Sequence, residues 1–144
     1  MANSHERERL LYERLALLIG QELEFSDDQF SKYDVIDHTR ELVGELKCRD
    51  SKYKRSYEDF LIEKDKYDFL MEYASKSGYR PLYINEHEGD VWIYALDSIP
   101  EPVWRDVMCH AHTHFGAQGA EKKMKQVGFL KWGQAARFYK GFIK

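Results

Sequence analysis

The chain has 144 residues, a length that suits one compact domain and excludes a separate catalytic domain beside a large binding domain. Hydrophobic residues make up 43% and aromatics 15%, enough to close a core, while 33% charged residues leave a polar surface. The net charge of −3 argues against a uniformly basic nucleic-acid binder, yet residues 121–144 carry +6 and the first 120 residues −9, with a second basic run over 47–55.

In chain order, residues 4–19 read as a helix: Asn3 and Glu6 have capping-box spacing, Leu11, Leu15 and Leu18 form a stripe widened by Leu10 and Leu17, and Gly20 is a stop. Glu22–Ser26 reads as a short strand. Tyr33–His38 and Leu42–Cys48 read as strands joined by a tight turn near Thr39-Arg40. Residues 57–77 read as the clearest helix, with Ser56 and Asp59 as a capping box and Gly78 as its end. Arg80–Asn85 and Val91–Leu96 read as a hairpin around His87-Glu88-Gly89-Asp90. This order predicts an α/β fold around a mixed sheet, with residues 1–98 as its core. The Ile99-Pro100-Glu101-Pro102 punctuation separates a basic extension, 99–144. Its apolar content predicts that it docks on the same domain, where it would lengthen a nucleic-acid channel or support a homodimer.

No apolar run approaches the roughly 20 residues of a membrane span. Met1–Arg7 lacks the order of a signal peptide, and Cys48 and Cys109 form no CxxC pair. The expectation is a cytoplasmic chain with reduced thiols and no membrane partner.

The chemistry concentrates in Tyr33–Asp37 and Gly44–Arg49. Side chains alternate along a strand, so Glu45 and Lys47 share one face and Leu46 takes the other. A two-residue turn at Thr39-Arg40 or a four-residue loop over 38–41 pairs Ile36 with Val43 and Asp34 with Glu45, whereas a loop one residue longer or shorter flips the faces. Opposed carboxylates repel unless a cation neutralises them, and hard oxygen ligands suit Mg²⁺ or Mn²⁺. With Lys47 beside them, the set fits phosphodiester hydrolysis.

The order helix, strand, Asp, strand, Glu-x-Lys, helix, strand resembles the PD-(D/E)xK nuclease superfamily, which includes restriction endonucleases, Holliday-junction resolvases and small phage nucleases. The resemblance covers residues 4–96. It implies a restriction-endonuclease-like αβββαβ core and a metal held by Asp34, Glu45 and the Leu46 backbone carbonyl. It also implies a catalytic Lys47 and an added glutamate from the first helix, for which Glu13 is the best match and Glu6 and Glu22 are the fallbacks. The residue before Asp34 is Tyr33 and not proline. A Gln-x-x-x-Tyr found in some relatives is here Glu63-Lys64-Asp65-Lys66-Tyr67, so the match is to the superfamily and to no subfamily.

The expected function is a structure-directed or weakly specific metal-dependent nuclease, with DNA as the expected substrate. The alternatives are a non-catalytic nucleic-acid-binding module with the same fold, or a hydrolase of another phosphoester. Arg49, Lys52, Lys54 and Arg55, interleaved with tyrosines just after the motif, are candidate phosphate contacts. Lys64 is a candidate for the phosphate side of the site or a snorkelling lysine, and Lys66 reads as a solvated-face lysine. His110, His112 and His114 lack a further Cys/His pair that would close a zinc site.

Overall fold

A computed structural model describes residues 4–26, 31–53, 57–110 and 122–143. Helix α1 spans Ser4–Ile19 and buries Leu11 and Leu15 completely, with Tyr12, Ala16 and Ile19 beside them. The expected stripe is narrower than its leucine content: Leu10, Leu17 and Leu18 stay exposed.

The main sheet has the order β1-β2-β3-β5-β6-β9. Strands β1 (Glu24–Phe25), β2 (Val35–Asp37) and β3 (Leu42–Cys48) form an antiparallel meander. Strand β5 (Arg80–His87) runs parallel to β3, and helix α2 (Lys64–Ser77) lies on the connection between them. Strand β6 (Asp90–Ala95) returns through a two-residue turn in which Glu88 and Gly89 both have positive φ, the conformation a tight hairpin needs. Strand β9 (Arg137–Tyr139) closes the far edge on β6. The molecule is thus α/β with a mixed sheet.

A second, antiparallel sheet consists of Asp59–Glu63 (β4), Lys122–Lys131 (β8) and Arg105–His110 (β7), in that order. Here the structure corrects the reading of 57–77 as one helix. Residues Asp59–Glu63 are strand β4, and α2 begins only at Lys64. Phe60 and Ile62 are fully buried and alternate with half-buried Leu61 and Glu63, a period of two that the helical pattern had absorbed. Glu58, at φ 52°, turns the chain into β4. Gly78 ends α2 as expected, in the left-handed region at φ 79°, with its N–H on the Ala74 carbonyl at 2.8 Å.

Residues 99–144 contribute β7 (Arg105–His110), β8 (Lys122–Lys131) and β9. Strand β8 pairs with β4, and Gly128 on it is needed for a close approach: a Cβ there would stand 2.5 Å from Pro102 and 3.1 Å from Trp104. Phe142 and Ile143 pack into the apolar cluster beneath α1.

The main sheet separates two cores. On the α1 side lie Leu11, Leu15, Val35, Leu46, Ile84, Val91 and Ile93. On the α2 side lie Ile36, Val43, Phe60, Ile62, Tyr67, Leu70, Trp92 and Tyr94. Among the described residues no helix is long and apolar enough to cross a membrane.

Candidate metal centre

The register of β2 and β3 pairs Val35 with Gly44, Ile36 with Val43 and Asp37 with Leu42. Continued by one residue, it sets Asp34 opposite Glu45, the pairing expected from the turn. Asp34 sits immediately before β2, where its N–H still donates to the Gly44 carbonyl at 2.9 Å. Its carboxylate crosses to β3 and accepts the Leu46 N–H at 2.8 Å. The turn itself is held by Asp37, a wholly buried carboxylate that accepts the Thr39 and Arg40 N–H groups and the Arg40 guanidinium at 2.8–3.0 Å. These bonds hold the Asp37 carboxyl below the usual range against its own burial, and they help fix the loop length on which the register depends.

Glu45 lies on the α2 face of the sheet and is 7% exposed. Burial first, and then the Asp34 charge, push its carboxyl up to about 8, against the opposing pull of Lys66 and Lys47. Asp34 is raised too, again chiefly by burial, while the Leu46 N–H, the two lysines and a hydrogen bond to Glu45 oppose the rise. Two buried carboxyls within hydrogen-bonding reach cannot both ionise cheaply, so the pair retains a proton near neutral pH or takes a cation in its place.

Two lysines serve this pair. Lys47 follows Glu45 by two residues on β3, is partly buried and stands in register with Asn85 of β5. Lys66, expected on the solvated face, instead places Nζ 3.7 Å from Glu45 Oε1. With α2 beginning at Lys64, Lys66 falls in the first turn, at the end of the helix nearest the carboxylates.

The helix-borne acid also differs from the expectation. Glu13 is 58% exposed and pairs with Arg9 at 3.7 Å. Glu6 is exposed, and Glu22 is held by Arg40 at 3.0 Å. The α1 acid whose charge reaches Glu45 is Glu8, half-buried one turn into the helix.

Arg49 was expected to meet phosphate and is instead 9% exposed. Its guanidinium donates to Asn85 Oδ1 at 2.8 Å, the Leu61 carbonyl at 2.6 Å and the Tyr83 hydroxyl at 3.1 Å, and lies over the Tyr53 ring. It ties β4 to the main sheet. Lys52 is exposed on the loop after β3, and Lys54 and Arg55 lie outside the described residues, as do His112 and His114. Lys64 bonds Asp68 at 2.6 Å and stands over Trp104, at a cleft of about 330 Å³ that Lys125 also lines. Cys48 is a free thiol, raised by burial.

Among the described residues no group of three or more His, Cys, Asp or Glu is placed to hold a metal. The oxygen set is therefore two carboxylates and whatever backbone carbonyl lies beside them. Mg²⁺ commonly keeps several waters and takes one or two carboxylates plus substrate phosphate, so this donor count fits such an ion. Comparison with protein-family models, with curated proteins and with solved structures gives no match.

Proposed function

We propose that the chain is a divalent-metal-dependent nuclease that hydrolyses phosphodiester bonds in nucleic acid, DNA in the first instance, with a restriction-endonuclease-like core of the PD-(D/E)xK type. The observation that carries this reading is the buried, mutually repelling pair Asp34 and Glu45 with two amines beside it. The arrangement of the main sheet supports it: an antiparallel meander whose third strand bears Glu45-Leu46-Lys47 and is joined through a helix to a parallel fourth.

Asp34 and Glu45 would hold Mg²⁺ or Mn²⁺, with the Leu46 carbonyl as a third oxygen. The ion supplies a nucleophile at neutral pH and neutralises charge on the phosphate. The Leu46 N–H fixes the Asp34 carboxylate, so its geometry is set before substrate arrives. Lys47 orients the attacking water. As the water oxygen bonds to phosphorus, the P–O bond to the leaving sugar breaks, giving a phosphomonoester and a free hydroxyl. Lys66, whose Nζ stands 3.7 Å from Glu45 Oε1, would face the negative charge that grows on the phosphate.

A non-catalytic nucleic-acid-binding module is the second reading, favoured by the limit of two carboxylates at the site. Thermal unfolding with and without Mn²⁺ separates the two. The nuclease reading expects Mn²⁺ to raise the melting temperature and Asp34→Asn to remove the rise. Absence of any metal-linked rise in the unaltered protein favours the binding module.

A further inference from the structure

Helix α2 carries an unusual outer stripe that begins at the carboxylate site. Lys66, Phe69, Tyr73 and Lys76 follow one another at spacings of three, four and three residues, which puts them on one face over about 15 Å of helix. Two adjoining cavities run along this stripe. The first, about 200 Å³, is lined by Lys32, Asp65, Lys66 and Phe69. The second, about 230 Å³, shares Lys32 and Phe69 and continues to Glu72, Tyr73 and Lys76. Lys66 belongs both to the first cavity and to the Glu45 ion pair, so the groove adjoins the proposed metal centre through this one side chain. Tyr33, which precedes Asp34, packs its ring 6.1 Å from that of Tyr73.

We propose that this groove binds single-stranded nucleic acid, with unpaired bases on Phe69 and Tyr73 and the backbone phosphates on Lys32, Lys66 and Lys76. The inference rests on the nuclease reading of the adjoining carboxylates and names its substrate class. Rings interleaved with amines are what an unpaired strand needs: every base offers a π-face, and each phosphate needs a cation. The rings are 6.1 Å apart, half-buried and fixed by packing on the core, so they are preorganised. The amines are movable. Lys32 lies over Phe69 at 5.7 Å and Lys76 pairs with Glu72 at 2.8 Å, both at the surface, where such contacts are weak and exchange readily for phosphate. Each cavity has room for about one base, and stacking on Phe69 or Tyr73 needs a base whose π-face is free. The account therefore expects cleavage next to an unpaired nucleotide: an overhang, a flap or a free single strand.

The test is fluorescence anisotropy in EDTA with a short labelled oligodeoxynucleotide, its blunt duplex and an oligoribonucleotide of the same sequence. Binding is thereby read without metal, and a failure of the metal reading would not alter the result. The expected outcome is that the single strand binds about tenfold more tightly than the duplex, within the range of stacking one or two bases. Phe69→Leu with Tyr73→Leu keeps the apolar packing, removes both rings and is expected to abolish the preference. Lys32→Ala, at an exposed position that does not threaten folding, is expected to weaken single-strand binding and flatten its salt dependence. RNA that outbinds the duplex supports the groove equally. A duplex bound as tightly as the single strand, or unchanged single-strand affinity in either variant, overturns the proposal.

Discussion

The Asp34 carboxylate accepts the N–H of Leu46 at 2.8 Å, across the two strands that the turn at 38–41 brings together. The bond makes the position of one acid depend on the backbone of the segment that carries the other. Asp34→Asn keeps the side-chain shape but weakens both the acceptor and the anionic ligand. The expected result is loss of Mn²⁺-dependent stabilisation and a fall in cleavage rate of about two orders of magnitude or more, as for removal of one preorganised group. Thermal unfolding and a cleavage time course measure the two effects.

The Glu45 carboxyl, pushed up to about 8 from an ordinary 4.5, binds its proton more tightly in the folded chain than in the unfolded one. Its contribution to stability is therefore complete below about pH 4.5 and is lost as pH rises through about 8. Metal-free protein is expected to show a Tm component that declines from about pH 5 to about pH 8, and Glu45→Gln is expected to flatten it. Mn²⁺ displaces the same proton, so its affinity is expected to rise over that range in the unaltered protein. Tm measured against pH, with and without Mn²⁺, checks both statements.

Lys66 and Lys47 approach the acids from different elements and separate by substitution. Lys66→Met removes the 3.7 Å partner of Glu45 and is expected to raise the Glu45 carboxyl further and to shift Mn²⁺ binding to higher pH. Lys47→Met is expected to leave a functional metal site and cut the cleavage rate by about a hundredfold or more. Mn²⁺ titration and turnover, measured on both variants, distinguish the roles.

Arg49 makes three hydrogen bonds to Asn85, Leu61 and Tyr83 from a buried position. Arg49→Met leaves the buried Asn85 Oδ1 without its donor, while the Leu61 carbonyl keeps the Tyr83 hydroxyl at 2.9 Å, and the loss of the three bonds is expected to cost about 2 kcal/mol of stability. Denaturant unfolding checks this, and a charge change on an exposed phosphate contact would leave the midpoint nearly unmoved.

Much of this was legible in the residues. The short turn over 38–41 sets a register in which Asp34 opposes Glu45, and the alternation of β3 puts Lys47 on the same face; the Asp37 cap that holds this turn emerges only in the structure. Gly78 and the Glu88-Gly89 turn announce themselves because few residues accept positive φ. The second sheet was not legible. Phe60 and Leu61 continue the helical spacing of Tyr67, Leu70 and Met71 as readily as Phe60 and Ile62 make a strand, and only pairing with β8, far along the chain, decides between them. Lys66 was lost with that boundary. Arg49 was misread because a basic residue beside a motif looks like a phosphate contact until its buried acceptors are known. Glu13 sits at the border of a leucine stripe that the fold narrows to Leu11 and Leu15, and the α1 acid whose charge reaches Glu45 is the half-buried Glu8.

The most direct test of the central claim is cleavage of single-stranded, flap-bearing, nicked and blunt duplex DNA by unaltered protein and by Lys47→Ala, with Mg²⁺, Mn²⁺ or EDTA. The account predicts metal-dependent cleavage of the substrates with unpaired nucleotides, none in EDTA and severe loss in the variant. Equal cleavage by both proteins, or cleavage undiminished by EDTA, would contradict it.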